Sequence, residues 1–132
     1  MEKLTLNNIE AIFSGNEEYA LQKNQKEKIE ASFNFLTEFS KDKVIYGINT
    51  GFGPMAQYRI SDDKLSGLQY NLIHSHSNGA GSYIDRDYAK IIMVCRLNTL
   101  ALGYSGISLQ YLETLEQFIK HDIIFFFFIW NS

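Results

Sequence analysis

Along most of the chain, apolar residues recur at helical spacing. Ile9, Ile12 and Phe13, set between Thr5 and Gly15, predict a short first helix. From Gln25 to Phe39, Ile29, Phe33 and Leu36 fall at i, i+4 and i+7, with Phe35 and Phe39 widening the stripe, so a second helix should bury this face. Lys23, Lys26, Lys28 and the neighbouring glutamates occupy its other faces as solvated surface. Ser61 with Asp62 and Asp63 supplies an N-cap and an acidic first turn. Leu65, Leu68, Leu72 and Ile73 then continue a third helix, with Ser75 and His76 near its end and Gly79 beyond. Asp85 caps a fourth helix, apolar nearly all round through Ile91, Ile92, Val94, Cys95, Leu97, Leu100 and Leu102, which is the pattern of a buried helix. Ser108 caps a fifth, with Leu109, Leu112, Leu115, Phe118 and Ile119 on one side. The only strand candidate is the run Val44 to Tyr46. An all-α, mainly helical fold is expected, with no internal repeat or low-complexity linker.

Between the second and third helices lies Val44-Ile45-Tyr46-Gly47-Ile48-Asn49-Thr50-Gly51-Phe52-Gly53-Pro54, three glycines and a proline around one tyrosine and a polar Asn-Thr pair. Glycine opens backbone conformations closed to other residues, and Pro54 biases Gly53 toward an extended form, so the segment reads as a shaped loop holding Tyr46 and Phe52. Such loops commonly carry ligands, although a glycine-rich turn also serves simply to reverse the chain after a strand. Gly51 to Ala56 fits G-x-G-x-x-A, but a dinucleotide fold needs alternating strands and a helix opening at the third small residue. Pro54 and the helical remainder argue against that reading, and no Walker-type Gly-Lys-Ser or Gly-Lys-Thr is present.

The composition bounds the function. At 132 residues the chain is long enough for one domain with a modest core, and 45% hydrophobic with 20% charged residues is ordinary for a globular protein. A net charge of -3 gives no electrostatic reason to expect nucleic acid as a partner. The single Cys95 cannot form an internal disulfide, in keeping with a reducing compartment. Met1-Glu2-Lys3-Leu4 lacks the basic start and apolar core of a signal peptide. A cytoplasmic location and no membrane partner are expected. His74 and His76, two apart on a helix, point roughly 200° from each other and cannot share one ion. No Asp, Glu or Cys cluster with ligand spacing accompanies them, so no metal is expected. His121, followed by Asp122, reads as an exposed helix-end residue.

Three segments taken in order strongly resemble the histidine, phenylalanine and tyrosine ammonia-lyase family. They are the Tyr46-Gly47-Ile48-Asn49-Thr50-Gly51-Phe52-Gly53 loop, the Gln69-Tyr70-Asn71-Leu72-Ile73-His74-Ser75-His76 segment running on to Gly79 and Gly81, and Arg96-Leu97-Asn98-Thr99-Leu100-Ala101-Leu102-Gly103-Tyr104-Ser105-Gly106. The resemblance covers residues 4–124. It implies the N-terminal portion of a large, mainly helical enzyme that associates as a homotetramer, and elimination of ammonia from an aromatic amino acid. It also implies a methylidene-imidazolone electrophile, which the family makes from an internal Ala-Ser-Gly. Tyr46 would be the base that removes the β-proton. Phenols, with unperturbed pKa near ~10, are poor bases at neutral pH unless positive charge or helix N-termini favour the phenolate. Ser75 and His76 occupy the pair of positions associated with substrate choice, and Gly53 belongs to the same substrate-binding set. A Ser-His pair looks like the histidine lyases. Some bacterial tyrosine lyases also keep Ser-His and resemble this chain through Gly53 to Ile60, so histidine and tyrosine both remain candidate substrates. The aminomutases, which return ammonia to the β-carbon, share the loop.

No Ala-Ser-Gly occurs in the 132 residues. After Ile124 the chain reads Phe125-Phe126-Phe127-Phe128-Ile129-Trp130-Asn131-Ser132, where the family would continue toward that tripeptide. The apolar run from Ile123 to Trp130 falls well short of the roughly 20 residues a spanning helix needs, and uncharged aromatic runs are aggregation hazards. The expected organisation is therefore a lyase-family segment over 1–124 and an aberrant tail over 125–132, with four phenylalanines marking a thymine-rich codon run where frames slip. A real buried strand or helix end is the competing reading of the tail. The chain alone is expected to lack lyase activity, and its other reading is a non-catalytic helical module or an inactive subunit associating with an intact lyase.

Overall fold

Five α-helices arise where the apolar spacing places them. The computed structural model describes residues 4–129, without the side chains of Met55, Asp62 and Ile129. The first three residues and the Trp130–Ser132 end of the apolar tail lie outside the described residues. In order, the helices are α1 (Leu6–Phe13), α2 (Lys23–Phe39), α3 (Asp62–His76), α4 (Arg86–Leu100) and α5 (Leu109–Lys120). Their starts follow local chemistry. The Thr5 hydroxyl accepts the Asn8 N–H while the Asn8 side chain accepts the Thr5 N–H, a reciprocal capping box. Asp85 and Ser108 cap α4 and α5 through the N–H groups of Asp87 and Tyr111. Ser61 stands at the N-cap of α3 with extended backbone, but its side chain makes no capping bond.

The chain divides into two compact units, Met1–Phe35 with Ala80–Ser132, and Leu36–Gly79. The first unit holds the hydrophobic core. There α4 packs against α5 and α1, and Leu97 and Leu112 are completely buried among Ile12, Ile29, Met93 and Leu115. Each such side chain contributes about 1.5–3 kcal/mol by leaving water. Two short strands, β1 (Ser82–Tyr83) and β2 (Phe128–Ile129), pair antiparallel, with Tyr83 opposite Phe128. The Ile84 N–H extends this pairing to the Phe127 carbonyl at 2.8 Å. Ile124 and Phe127 pack on the core, whereas Phe126 is 81% exposed.

The second unit is built differently. Asn49, Thr50 and Gly51 are its buried residues among those described, and no described residue of α3 is buried.

Three expectations are corrected. Val44 to Tyr46 is not a strand, because the Ile45 N–H goes to a side chain and its carbonyl accepts the N–H groups of Ile48 and Asn49, leaving nothing for a ladder. The aromatic stripe of α2 does not bury. Ile29 is enclosed, but Phe33, Phe35 and Phe39 are exposed, and Lys43 Nζ sits 4.1 Å from the Phe39 ring centre. On α4 the buried set is Ala89, Met93, Val94, Leu97 and Leu100, while Ile92 faces out and Leu102, exposed, lies beyond the helix end. That helix is buried on one side only.

Candidate functional site

The loop that carries Tyr46 is shaped by side chain to backbone hydrogen bonds. Asn49 is its hub. The Ile45 N–H donates to Asn49 Oδ1 at 2.8 Å, and Asn49 Nδ2 donates to the carbonyls of Ser40 at 3.0 Å and Lys43 at 2.7 Å. The Thr50 hydroxyl accepts the Gly47 N–H at 3.3 Å and donates to the Gly51 carbonyl at 2.9 Å. On the far side, the Ile60 N–H donates to the Asn49 carbonyl at 2.8 Å, and Thr50 forms an antiparallel bridge with Arg59. Gly47 sits at φ +76°, a left-handed conformation costly to any residue with a Cβ. That is why the chain can turn directly after Tyr46.

Tyr46 stands out from this frame, 64% exposed, its ring edge-on to Phe52 with centres 6.2 Å apart. Gly53 follows at φ +57° rather than in the extended form that Pro54 favours, since glycine has no Cβ to meet the proline ring. A short 3₁₀ turn with Pro54 as its second residue then covers Gly53–Met55.

Ser75 and His76 lie in the last turn of α3, both exposed. The Ser75 hydroxyl donates to the Leu72 carbonyl at 2.9 Å and lies 2.9 Å from His76 Nδ1, which is itself 3.0 Å from the Leu72 carbonyl. Whether Nδ1 donates to the Leu72 carbonyl or accepts from the Ser75 hydroxyl follows the ring tautomer. Tyr46 and Gly53 thus share one loop, and Ser75 and His76 share one helix end. No hydrogen bond or ring contact among the described residues joins the two pairs.

Asn49 and Thr50 were legible only as a polar pair in a glycine-rich loop. The signal that marks them is the preference of Asn and Thr side chains for nearby backbone. Among the described residues, no group of three or more His, Cys, Asp or Glu side chains is placed to hold a metal ion. No helix among them is long and apolar enough to cross a membrane. The methylidene-imidazolone that the resemblance implies has no source within the 132 residues, which contain no Ala-Ser-Gly.

Residues 4–126 match the sequence profile described as aromatic amino acid lyase. A probable histidine ammonia-lyase of Thermoplasma volcanium is 38% identical over 124 residues, which are 93% of this chain and 25% of that protein. The histidine ammonia-lyase of Shouchella clausii is 38% identical over 121 residues, 91% of this chain and 24% of its own length. Among solved structures, a mutant tyrosine aminomutase with bound ligand superposes with a TM-score of 0.87 at 29% identity, covering 98% of this chain and 25% of that one. The chain spans about a quarter of the length of the curated relatives it matches. With the profile match running through nearly all of it, the chain belongs to the aromatic amino acid lyase family.

Proposed function

We propose that these residues form the N-terminal part of an aromatic amino acid ammonia-lyase, acting on L-histidine or L-tyrosine, with Tyr46 as the base and Ser75, His76 and Gly53 as substrate-binding residues. What supports the reading is an exposed tyrosine on a hydrogen-bonded loop, in a chain that matches the family over residues 4–126. In the reaction, the Tyr46 oxygen takes a β-proton from the substrate. The electron pair of that C–H bond becomes the Cα–Cβ double bond, and ammonia departs with the pair of the Cα–N bond, leaving an unsaturated acid. His76, exposed at the end of α3, can donate to or accept from the polar end of a substrate ring according to its tautomer. The electrophile that assists departure of the amine would come from an Ala-Ser-Gly outside these residues, and the assembled enzyme would be a homotetramer in the cytoplasm. The 132 residues by themselves should not turn over substrate.

The test is a chimera in which residues 1–126 replace the matching portion of the Thermoplasma volcanium relative. Ammonia release from histidine or tyrosine, lost on Tyr46→Phe with the fold retained, is the expected result. Near-normal turnover by Tyr46→Phe would dismiss the tyrosine as the base. The superposition on a tyrosine aminomutase favours a second reading, in which a β-amino acid accumulates in place of the unsaturated acid. A third reading is a non-catalytic helical module that associates with an intact lyase. In that case the chain would co-purify with the intact enzyme and add no turnover of its own.

A further inference from the structure

We infer that Asn49 and Thr50 are positioning residues for Tyr46, fixing the two peptide units that flank it and so setting where its phenol stands. The peptide N–H before Tyr46, that of Ile45, reaches Asn49 Oδ1 at 2.8 Å. The N–H after Tyr46, that of Gly47, reaches Thr50 Oγ1 at 3.3 Å. Each acceptor is itself held. Asn49 Nδ2 uses both of its protons on the Ser40 and Lys43 carbonyls, so a flipped amide would aim its oxygen at two carbonyls. Thr50 commits its one proton to the Gly51 carbonyl, which leaves its lone pairs for Gly47. The main chain of the pair is tied to Arg59 and Ile60.

Burial separates this arrangement from ordinary loop bonding. Asn49 is 4% and Thr50 1% exposed, against 64% for the tyrosine between their partners. Two buried polar side chains spend their hydrogen-bonding capacity on the backbone around one exposed ring. Removing either acceptor leaves a part-buried backbone donor without its partner. A base must lie within hydrogen-bond reach of the proton it takes, and a misplacement of about 1 Å can cost on the order of 10²-fold in rate.

The inference rests on Tyr46 being the base, but its geometry is testable without turnover. In the isotope-labelled 132-residue chain, amide exchange is read at Ile45 and Gly47, and the Tyr46 ring through its resonance shifts and its contact with Phe52. Thr50→Val keeps the shape and removes the hydroxyl. It should speed Gly47 exchange about fivefold or more and move the Tyr46 ring resonances, with the methyl signals of Leu97 and Leu112 unchanged. Thr50→Ser should restore both readouts. Asn49→Leu, which removes the acceptor oxygen at similar size, should speed exchange at Ile45 in the same way. If it unfolds the loop outright, the Thr50 pair still decides.

Unchanged Gly47 exchange in Thr50→Val, or faster exchange with the Tyr46 ring unmoved, would overturn the inference. In the chimera, Thr50→Val should lower kcat more than it raises KM, with recovery in Thr50→Ser. Full turnover by Tyr46→Phe would instead remove the base reading and leave the resonance shifts as they are, so the two failures are distinguishable.

Discussion

The carboxylate of Glu116 on α5 accepts the peptide N–H of Leu21, 95 residues earlier in the chain, at 2.6 Å in a buried position. This bond ties the segment before α2 to the core helix. Glu116→Ala would leave the Leu21 N–H without a partner away from water, which costs about 1–3 kcal/mol. Glu116→Gln keeps an acceptor oxygen and should lose less than about 1 kcal/mol. Urea midpoints of the two variants check the order, and equal losses would show that the carboxylate does not carry this contact.

Gly103 is packed against α2. A Cβ there would stand 2.9 Å from Lys28 Cβ and 3.0 Å from the Lys28 carbonyl carbon, at a backbone φ of +76°. Lys28 Cβ is the fixed end of that side chain, so the helix itself would have to move. Gly103→Ala should cost about 2–4 kcal/mol, combining overpacking with left-handed strain. Gly15→Ala, at φ +74° with no atom within 4 Å of the added carbon, carries the strain alone at about 1–2 kcal/mol. The difference between the two denaturation midpoints isolates the contact with Lys28.

Asp122, just past α5, receives Arg86 at 2.6 Å and Lys90 at 3.2 Å. The bond from Arg86, then that from Lys90, holds its carboxyl below the usual range. A depressed carboxyl stabilises the fold fully above its unfolded pKa, near ~3.9, and the contribution is lost as pH falls through the lower native value. The side chain is 49% exposed, so screening limits the effect to less than about 1 kcal/mol. Asp122→Asn should therefore melt slightly below the parent at neutral pH and converge with it in acid. A gap that stays constant with pH would show that ionisation is not involved.

Core and surface should separate cleanly. Leu97, with no exposed surface, should cost about 2–5 kcal/mol on truncation to Ala. Tyr70 on α3, 66% exposed, should change stability by no more than about 0.5 kcal/mol. A large loss at Tyr70, measured by urea denaturation, would reveal packing that the static structure does not contain.

All five helices were legible from spacing and capping residues. Thr5, Asp85 and Ser108 mark starts because the groups that cap a helix lie within three residues of it. The tyrosine loop was legible as a shaped segment from its glycines. What escaped depends on partners distant in sequence or on side chains satisfying backbone. Val44 to Tyr46 has the composition of a strand, yet Asn49 captures the amide that a ladder would need. Phe33, Phe35 and Phe39 repeat at helical spacing, but spacing alone does not say whether anything covers them. Glu116 reads as surface on an apolar helix until its distant partner Leu21 is seen. The pairing of Tyr83 with Phe128 joins segments with no turn between them and left no local signal.

The Leu36–Gly79 unit, whose buried residues are Asn49, Thr50 and Gly51 among those described, is held by directional bonds rather than by oil. Opening it would uncover little apolar surface, so neither urea nor heat would drive that opening strongly or register it as a heat-capacity step. Bulk melting curves of this chain would follow Leu97, Leu112 and their neighbours, and the loop around Tyr46 could come apart without leaving a mark on them.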